Sequence, residues 1–208
     1  MSGIIVFDIE TLPNELDEIT SKLLDHKVRN VVEEKKEQEM LQYRFHEPAY
    51  TKVCCIGALY DKGDGSEIKQ KTFFSRDNEK EVIENFINYI SQFTGKFVSF
   101  NGLDFDAPFI LYKCCQYGIE PPQRFCNLVR FRVTPHFDLM QILTVWGKFR
   151  ISLAEACYSF GITVKENLHG LDILTFLQQA SDEDIQLYCQ EDVQSTYMLY
   201  KKVSLIYQ

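Results

Sequence analysis

An apolar run near the start of the chain ends in two acidic residues that share one face. Residues 3–7 are Gly-Ile-Ile-Val-Phe, and Asp8, Ile9 and Glu10 follow them. Because successive side chains of a β-strand point to opposite faces, a strand over 3–10 places both carboxylates on the same side. Neighbouring carboxylates repel, which raises at least one pKa unless a cation is present. Oxygen-only ligands suit Mg²⁺ or Mn²⁺, so the pattern predicts a divalent-metal site.

The size and composition of the chain favour one domain over residues 1–208. The 208 residues are 45% hydrophobic and 13% aromatic, which is enough for a sizeable core. No apolar run approaches a membrane span and no basic leader precedes the first strand, so we expect no membrane contact. The net charge of −8 argues against a protein that coats nucleic acid through a broad positive field. It is compatible with an enzyme that holds a few phosphates through bound metal.

The cysteines predict a reducing environment and therefore a cytoplasmic location. There are seven, an odd number, and none has the spacing of a zinc site. Two pairs are adjacent in sequence, and neighbouring cysteines seldom bridge each other. Most lie in apolar surroundings, which is typical of buried, reduced thiols.

The hydrophobic periodicity predicts a mixed α/β sheet covered by helices. Residues 14–43 are predicted to be helical from apolar positions spaced by three to five, within a segment 14–47 whose role stays open. Extended runs are predicted at 51–61, 68–74 and 96–100, with further pieces at 130–133 and 136–139. Other helices are predicted around 82–93, at 106–118, 139–146 and 152–160, and from Ser181 to the C-terminus.

Several further polar residues are candidates for a site, each with a structural alternative. Asp106 follows a predicted strand and precedes Ala-Pro, which is typical of a helix N-cap, although a metal ligand would stand in the same place. Tyr188 and Asp192 are four residues apart and share a helix face, where a core tyrosine and a surface aspartate are the ordinary interpretation. Asp138 is expected to cap a helix or support the site, and His136 to be a core or surface residue.

Taken together, these segments resemble the three motifs of the DEDD superfamily of 3′–5′ exonucleases. Residues 7–11 resemble motif I, and residues 101–106 resemble motif II in the N-x-x-x-F-D form of family B DNA polymerase proofreading domains. Residues 188–192 resemble the Y-x-x-x-D motif III of the tyrosine (DEDDy) branch. The chain is most similar to stand-alone relatives of that proofreading domain, except over 14–47, which does not align. The resemblance implies an α/β, RNase H-like fold with a five-stranded mixed sheet flanked by helices.

The same resemblance implies an activity and a set of residues for it. The expected reaction is hydrolysis from the 3′ end of single-stranded nucleic acid, DNA favoured, with release of nucleoside 5′-monophosphates. Catalysis is assigned to Asp8, Glu10, Asp106, Tyr188 and Asp192, and two Mg²⁺ or Mn²⁺ ions to the four carboxylates among them. Because an unperturbed tyrosine has a pKa of about 10, the expected role of Tyr188 is to orient water. Contacts with the terminal nucleotide are assigned to Thr11, Leu12, Asn101 and Phe105, although Leu12 and Phe105 also suit core packing.

Three alternatives stay open at this stage. The substrate could be RNA, or the chain could be a non-catalytic module that binds nucleic acid or a polymerase. Residues 14–43 could dock a partner protein, although helical cover of the core is favoured. A basic cluster could follow a single strand or form a solvated face; it comprises Arg124, Arg130, Arg132, Lys148 and Arg150.

Overall fold

The computed structural model describes residues 3–163, 176 and 179–207, and a five-stranded mixed sheet lies at its centre. The strands are β1 (Ile4–Pro13), β2 (Thr51–Asp61), β3 (Lys69–Phe74), β4 (Lys96–Ser99) and β5 (His136–Asp138). Their order is β3-β2-β1-β4-β5, so β1 is central. The β2 strand is antiparallel to β1 and β3, whereas β4 is parallel to β1 and β5. The predicted five-stranded mixed sheet is therefore confirmed.

Helices pack on both faces of this sheet. They are α1 (Glu18–Lys27), α2 (Glu33–His46), α3 (Glu79–Ile90), α4 (Asp106–Tyr117), α5 (Leu139–Leu143), α6 (Leu153–Ser159) and α7 (Asp182–Val203). The capping box predicted at Ser152 and Glu155 is present, and a second one, Ser181 with Asp184, begins α7 as expected. Among the residues described, no helix is long and apolar enough to cross a membrane.

The alternation of β1 divides the core into two layers. Phe7 and Ile9 pack in a cluster with side chains of α3 and α4. Val6 lies on the opposite face, in a cluster with side chains of α5, α6 and α7. Asp8 and Glu10 continue the Val6 face, because strand residues two apart share a side. The alternation of side chains along the strand is thus enough to point both carboxylates toward α7.

The segment 14–43, predicted to be helical, forms two helices, α1 and α2, which are separated by residues 28–32. Val28, one of the apolar positions behind that prediction, is buried, and so is Leu24. Ile19 and Leu23, two other apolar positions of the pattern, are 70% and 55% exposed. Residues four apart share a helix face, so Leu24 and Val28 lie on the buried face and Ile19 and Leu23 on an exposed one.

The region after α4 also differs from the prediction. Residues 130–133 are not extended, since Phe131 has a φ of 64° and lies in a turn. The helix expected at 139–146 is shorter, because Val145 and Trp146 have φ values of 53° and 59°, which no right-handed helix accommodates. Positive φ at non-glycine residues is uncommon and is not signalled by apolar periodicity.

His136 is a buried residue of the aromatic layer, as one of its two predicted roles required. Its ring stacks on Phe97 with a centroid separation of 5.2 Å, and its Nε2 lies 2.9 Å from the Phe125 carbonyl oxygen. A carbonyl only accepts, so Nε2 carries the proton and Nδ1 is the unprotonated nitrogen. Burial lowers the pKa of His136 to about 4. The imidazole is therefore neutral in the folded protein.

We expect His136 to reduce stability in acid. Its folded pKa of about 4 lies below the unfolded value, so only the unfolded chain takes up a proton between about pH 6.5 and 4. His136→Phe keeps an aromatic ring and removes this titration. The free energy of unfolding of the wild type, relative to the variant, should fall by about 2–3 kcal/mol from pH 7 to 4.5 in urea titrations. A difference independent of pH would contradict the assignment.

Candidate active site

Asp8 and Glu10, the two acidic residues of β1, lie near the end of the strand and point toward α7. Asp8 pairs with Gly57 of β2, and Glu10 pairs with Cys55. The register then shifts between Glu10 and Thr11, as at a β-bulge. Glu10 is buried and Asp8 is half-buried. Bulges re-aim side chains at strand ends and are common beside active sites.

The absence of a side chain at Gly57 lets α7 lie directly on the sheet beside Asp8. A Cβ built at Gly57 would be 2.9 Å from both the Cys189 Sγ and a methyl carbon of Val193. Such distances are too short for real carbon contacts, so any larger residue here would push α7 away. The helix turn that touches Gly57 also carries Tyr188 and Asp192. This contact therefore brings the third predicted motif to the first.

Asp106 reaches the site from α4, on the other side of β1. Its Oδ1 accepts a hydrogen bond of 3.0 Å from the backbone N–H of Ile9, which lies between the two acidic residues of β1. Phe105, not Asp106, is the N-cap residue of α4, and the cap makes no side-chain hydrogen bond. The capping interpretation of Asp106 is thus wrong, because its buried carboxylate is committed to the strand 97 residues earlier in the chain.

Asp192 and Tyr188 complete the group from α7. The Tyr188 hydroxyl donates a hydrogen bond to the Asp192 carboxylate. The negative charges of Asp192, Glu10 and Asp8 all act on the Tyr188 hydroxyl, which places it at the same cluster. Burial and these charges raise the pKa of Tyr188, so it stays a neutral phenol. A neutral phenol can donate a hydrogen bond but is not a base near neutral pH.

Burial and repulsion from neighbouring carboxylates raise the pKa values of these four acidic residues. Burial raises the pKa of Asp8 well above its ordinary value, and repulsion from Asp106, Glu10 and Asp192 adds to it. Burial and Asp192 do the same for Glu10. Burial also raises the pKa of Asp106 to about 7 and that of Asp192 to about 6. Such a cluster is costly for the fold unless positive charge is supplied.

The donor set fits hard divalent cations. One ligand atom each of Asp8, Glu10 and Cys189 lies within 4.8 Å of the others. Cys189 was not among the predicted site residues, and its only sequence signal is its place beside Tyr188. Its thiol donates to the backbone oxygen of Asp8 at 3.7 Å. The neighbouring Cys55 thiol and burial raise the pKa of Cys189, so it stays protonated. The oxygen ligands therefore remain the donors suited to Mg²⁺ or Mn²⁺.

Two of the predicted substrate-binding residues, Thr11 and Leu12, lie in buried positions. The Thr11 hydroxyl donates to the backbone oxygen of Phe45 at 3.3 Å, which ties β1 to α2. Leu12 is 6% exposed and packs in a small cluster with Cys54 and Ile185. The structure thus places Leu12 in a packed position, the alternative that its sequence also allowed.

The other two, Asn101 and Phe105, line a cleft beside Asp106. Asn101 follows β4 with a φ of 68°, a conformation that asparagine tolerates better than most residues. The ring of Phe105 packs against Phe109 at 4.9 Å and His46 at 6.0 Å, so it is part of the core edge as well as of the cleft wall. Both residues are partly exposed.

Asp138 holds the loop that contains Asn101. Its carboxylate accepts backbone hydrogen bonds from Asn101 at 3.0 Å, Leu103 at 2.9 Å and Gln141 at 3.1 Å. It is fully buried, and it caps α5 as predicted. Because one carboxylate satisfies three N–H groups on two segments, Asp138 fixes the path of the chain into Asp106.

Comparisons with solved structures identify the fold. A zinc-bound complex of E. coli exonuclease I with single-stranded DNA matches with a TM-score of 0.54 at 11% identity, over 99% of this chain and 41% of that chain. A second structure of exonuclease I gives 0.55 at 10% identity, over 97% and 41%. A complex with a dT13 oligonucleotide gives 0.50 at 13% identity, over 98% and 41%. The predicted RNase H-like fold is thereby confirmed, and the chain spans about two fifths of exonuclease I.

The family follows from the sequence itself. Residues 38–208 match the family described as predicted 3′–5′ exonucleases related to the exonuclease domain of PolB. The chain belongs to this family, as its motifs led us to expect. The matched range begins after β1, so Asp8 and Glu10 lie outside it, whereas the fold likeness to exonuclease I includes that strand. No curated protein sequence matches the chain.

The acidic cluster predicts an unusual response to mutation. In metal-free protein, Asp106→Asn keeps an acceptor for Ile9 and removes one repelling charge, so at pH 8 it should stabilise the fold by about 2 kcal/mol. The gain should shrink as the pH falls from about 7 to 4, because the wild-type carboxyl then takes up a proton. Urea unfolding in EDTA measures both effects.

Asp138→Asn is the matched control for this measurement. It is also a buried aspartate, but an asparagine cannot accept from all three N–H groups, so it should destabilise the protein by about 1–3 kcal/mol. Destabilisation by Asp106→Asn at pH 8 would show that the cluster does not carry the repulsion described above.

Proposed function

We propose that this protein, as one domain over residues 1–208, hydrolyses the terminal phosphodiester at the 3′ end of single-stranded DNA. The products are nucleoside 5′-monophosphates. The observation that carries the proposal is the convergence of four carboxylates from β1, α4 and α7 around one phenolic hydroxyl. Membership of the PolB-related exonuclease family supports the reaction type. The E. coli exonuclease I complexes with DNA oligonucleotides support a single-stranded DNA substrate.

Two Mg²⁺ or Mn²⁺ ions are the proposed cofactors. Their ligands would be the carboxylates of Asp8, Glu10, Asp106 and Asp192. When bound, such a pair lowers the pKa of a water molecule and stabilises the charge that develops on phosphate oxygens. The four carboxylates balance the four positive charges of the ions, so an overall acidic chain can still accept a polyanion.

The protein groups have distinct proposed tasks in the hydrolysis. Tyr188 orients the attacking water through its hydroxyl oxygen, which accepts a hydrogen bond from the water while the hydroxyl proton is donated to Asp192, and its raised pKa excludes it as the base. The Ile9 N–H holds the Asp106 carboxylate in place, and the Tyr188 hydroxyl does the same for Asp192. Fixed ligands cost no reorganisation when the substrate reacts.

The contacts to the terminal nucleotide are proposed for Thr11, Leu12, Asn101 and Phe105. Asn101 and Phe105 are supported by their place on the cleft next to Asp106. Thr11 and Leu12 are supported by their position directly after Glu10, although both side chains are buried in this structure.

Two further predictions from the sequence concern the location of the protein and a partner. A reducing, cytoplasmic location is in line with seven free cysteines, most of them buried. A partner protein on 14–43 is in line with the exposed Ile19 and Leu23 of α1.

The first test of the proposal is removal of one carboxylate. Asp8→Asn should lower Mn²⁺-dependent release of mononucleotides from a 5′-labelled oligonucleotide by more than about a hundredfold, because it would remove one of the proposed metal ligands. Asp64→Asn, an exposed aspartate in the β2–β3 hairpin, is the control and should keep wild-type activity. Full activity of Asp8→Asn would overturn the metal assignment.

The second test separates Tyr188 from an ordinary tyrosine of the same helix. Tyr188→Phe should lower kcat about ten- to a hundredfold with little change in KM, because water orientation acts on turnover. Tyr197 also donates to a carboxylate, the Oδ2 of Asp61 at 2.8 Å, but lies away from the cluster. Tyr197→Phe should therefore leave kcat unchanged. Equal kcat values for wild type and Tyr188→Phe would refute the assigned role.

A matched pair of substrates tests the DNA assignment. We expect kcat/KM on a dT decamer to exceed that on a uridine decamer under the same Mn²⁺ and salt conditions. The reverse order would assign the activity to RNA while leaving the exonuclease reaction in place.

A further inference from the structure

A cleft of about 680 Å³ is lined in part by residues of the loop that leads directly into Asp106. One wall is formed by Asn101 and Phe105, from the loop that leads into α4. The other includes Trp146, Phe149 and Arg150, from the segment between α5 and α6. Because Asn101 and Phe105 are proposed to contact the terminal nucleotide, the cleft extends the site in the direction of the next nucleotides.

Aromatic rings are exposed along this second wall. Phe131 is 72% exposed and Phe149 is 53% exposed, so neither contributes its ring to the core. The ring of Phe131 lies against Trp146, with centroids 5.1 Å apart. Clustered exposed aromatic surface at the rim of a cleft is typical of a binding site. We call these three residues the aromatic platform.

The backbone of the platform adopts conformations that its residue types rarely take. Phe131, Val145 and Trp146 have φ values of 64°, 53° and 59°. A β-branched or aromatic residue in this region is an outlier, and such residues persist where the surrounding structure holds them. Hydrogen bonds in the cleft wall fix this backbone, since the Asp104 carboxylate accepts from the side chains of both Arg130 and Gln141.

The segment 129–151, which carries the platform, is also basic, in contrast to the chain as a whole. Residues 129–151 contain one acid, Asp138, which is fully buried. The acids that line the cleft, Asp104 and Glu155, are engaged with Arg130 and with Ser152. All four basic side chains of the segment are exposed: Arg130, Arg132, Lys148 and Arg150. The segment 129–151 therefore carries excess positive charge on a protein whose net charge is −8.

We propose that the aromatic platform binds the nucleotides of single-stranded DNA that precede the 3′-terminal one. Bases stack on Trp146, Phe149 and Phe131, and the phosphates lie beside Arg150 and its basic neighbours. Stacking tolerates any base, because every base has a π-face, and arginines add cation–π attraction and phosphate contacts. The assignment rests on the proposed function, which directs a strand through Asn101 and Phe105 toward the acidic cluster. It also favours the interpretation of the basic cluster as a surface that follows a single strand over its interpretation as a solvated face.

Binding of a 5′-fluorescein-labelled dT decamer, with Ca²⁺ in place of Mg²⁺ to suppress turnover, tests the platform. Phe149→Ala should raise Kd about tenfold, the effect of one lost stacking contact, whereas Phe149→Trp should stay within about twofold of wild type. Arg150→Gln should lower the slope of log Kd against log salt by about 0.7. Tyr112→Ala, on α4, removes an aromatic that is 46% exposed and outside the cleft lining, and it should bind as wild type does.

A length series in Mg²⁺ provides the second readout. The ratio of kcat/KM for the decamer to that for a dinucleotide should fall about tenfold in Phe149→Ala, because only the longer strand reaches the platform. Unchanged Kd and unchanged length ratio in Phe149→Ala would overturn the inference. If the wild-type protein releases no mononucleotides but Phe149→Ala still binds the decamer more weakly than the wild type does, the platform is supported and the proposed exonuclease reaction is refuted.

Discussion

Electrostatic repulsion among four clustered carboxylates is the constraint on which the rest of this structure depends. Burial penalises each charge, and the neighbours penalise it again, so Asp8, Glu10, Asp106 and Asp192 all have raised pKa values. A fold selected for stability alone would replace them with apolar groups of similar size. The two divalent cations of the proposed function would turn this repulsion into attraction.

The fold withstands this repulsion in part because two of the four acidic residues are held by interactions of their own. The Ile9 N–H holds Asp106, and the Tyr188 hydroxyl holds Asp192. The bare backbone of Gly57 lets α7 approach β1, without which Asp192 would lie too far from the strand. These interactions link β1, α4 and α7, which are separated by most of the sequence. Geometry at the site is thus set by the packing of the sheet, and the aromatic platform extends the same site through the loop fixed by Asp138.

Much of this arrangement could be predicted from local patterns. A period of two placed Asp8 and Glu10 on one face, and the ordered motifs indicated that Asp106 and Asp192 would join them. What failed was set by long-range packing. Asp106 has the local pattern of a cap, but its carboxylate binds a strand. The face of α1 depends on which leucine meets the core, and the backbone of Phe131 depends on its neighbours. None of these contacts leaves a periodic signal in the sequence.

Anomalous scattering from crystals soaked in Mn²⁺ tests the central claim most directly. The account predicts two manganese peaks inside the cluster, with carboxylate oxygens of Asp8, Glu10, Asp106 and Asp192 as their ligands. Their separation should be about 3.5–4 Å, as in other two-metal nucleases. An ordered cluster of acidic side chains without manganese, at a concentration that saturates activity, would contradict the account.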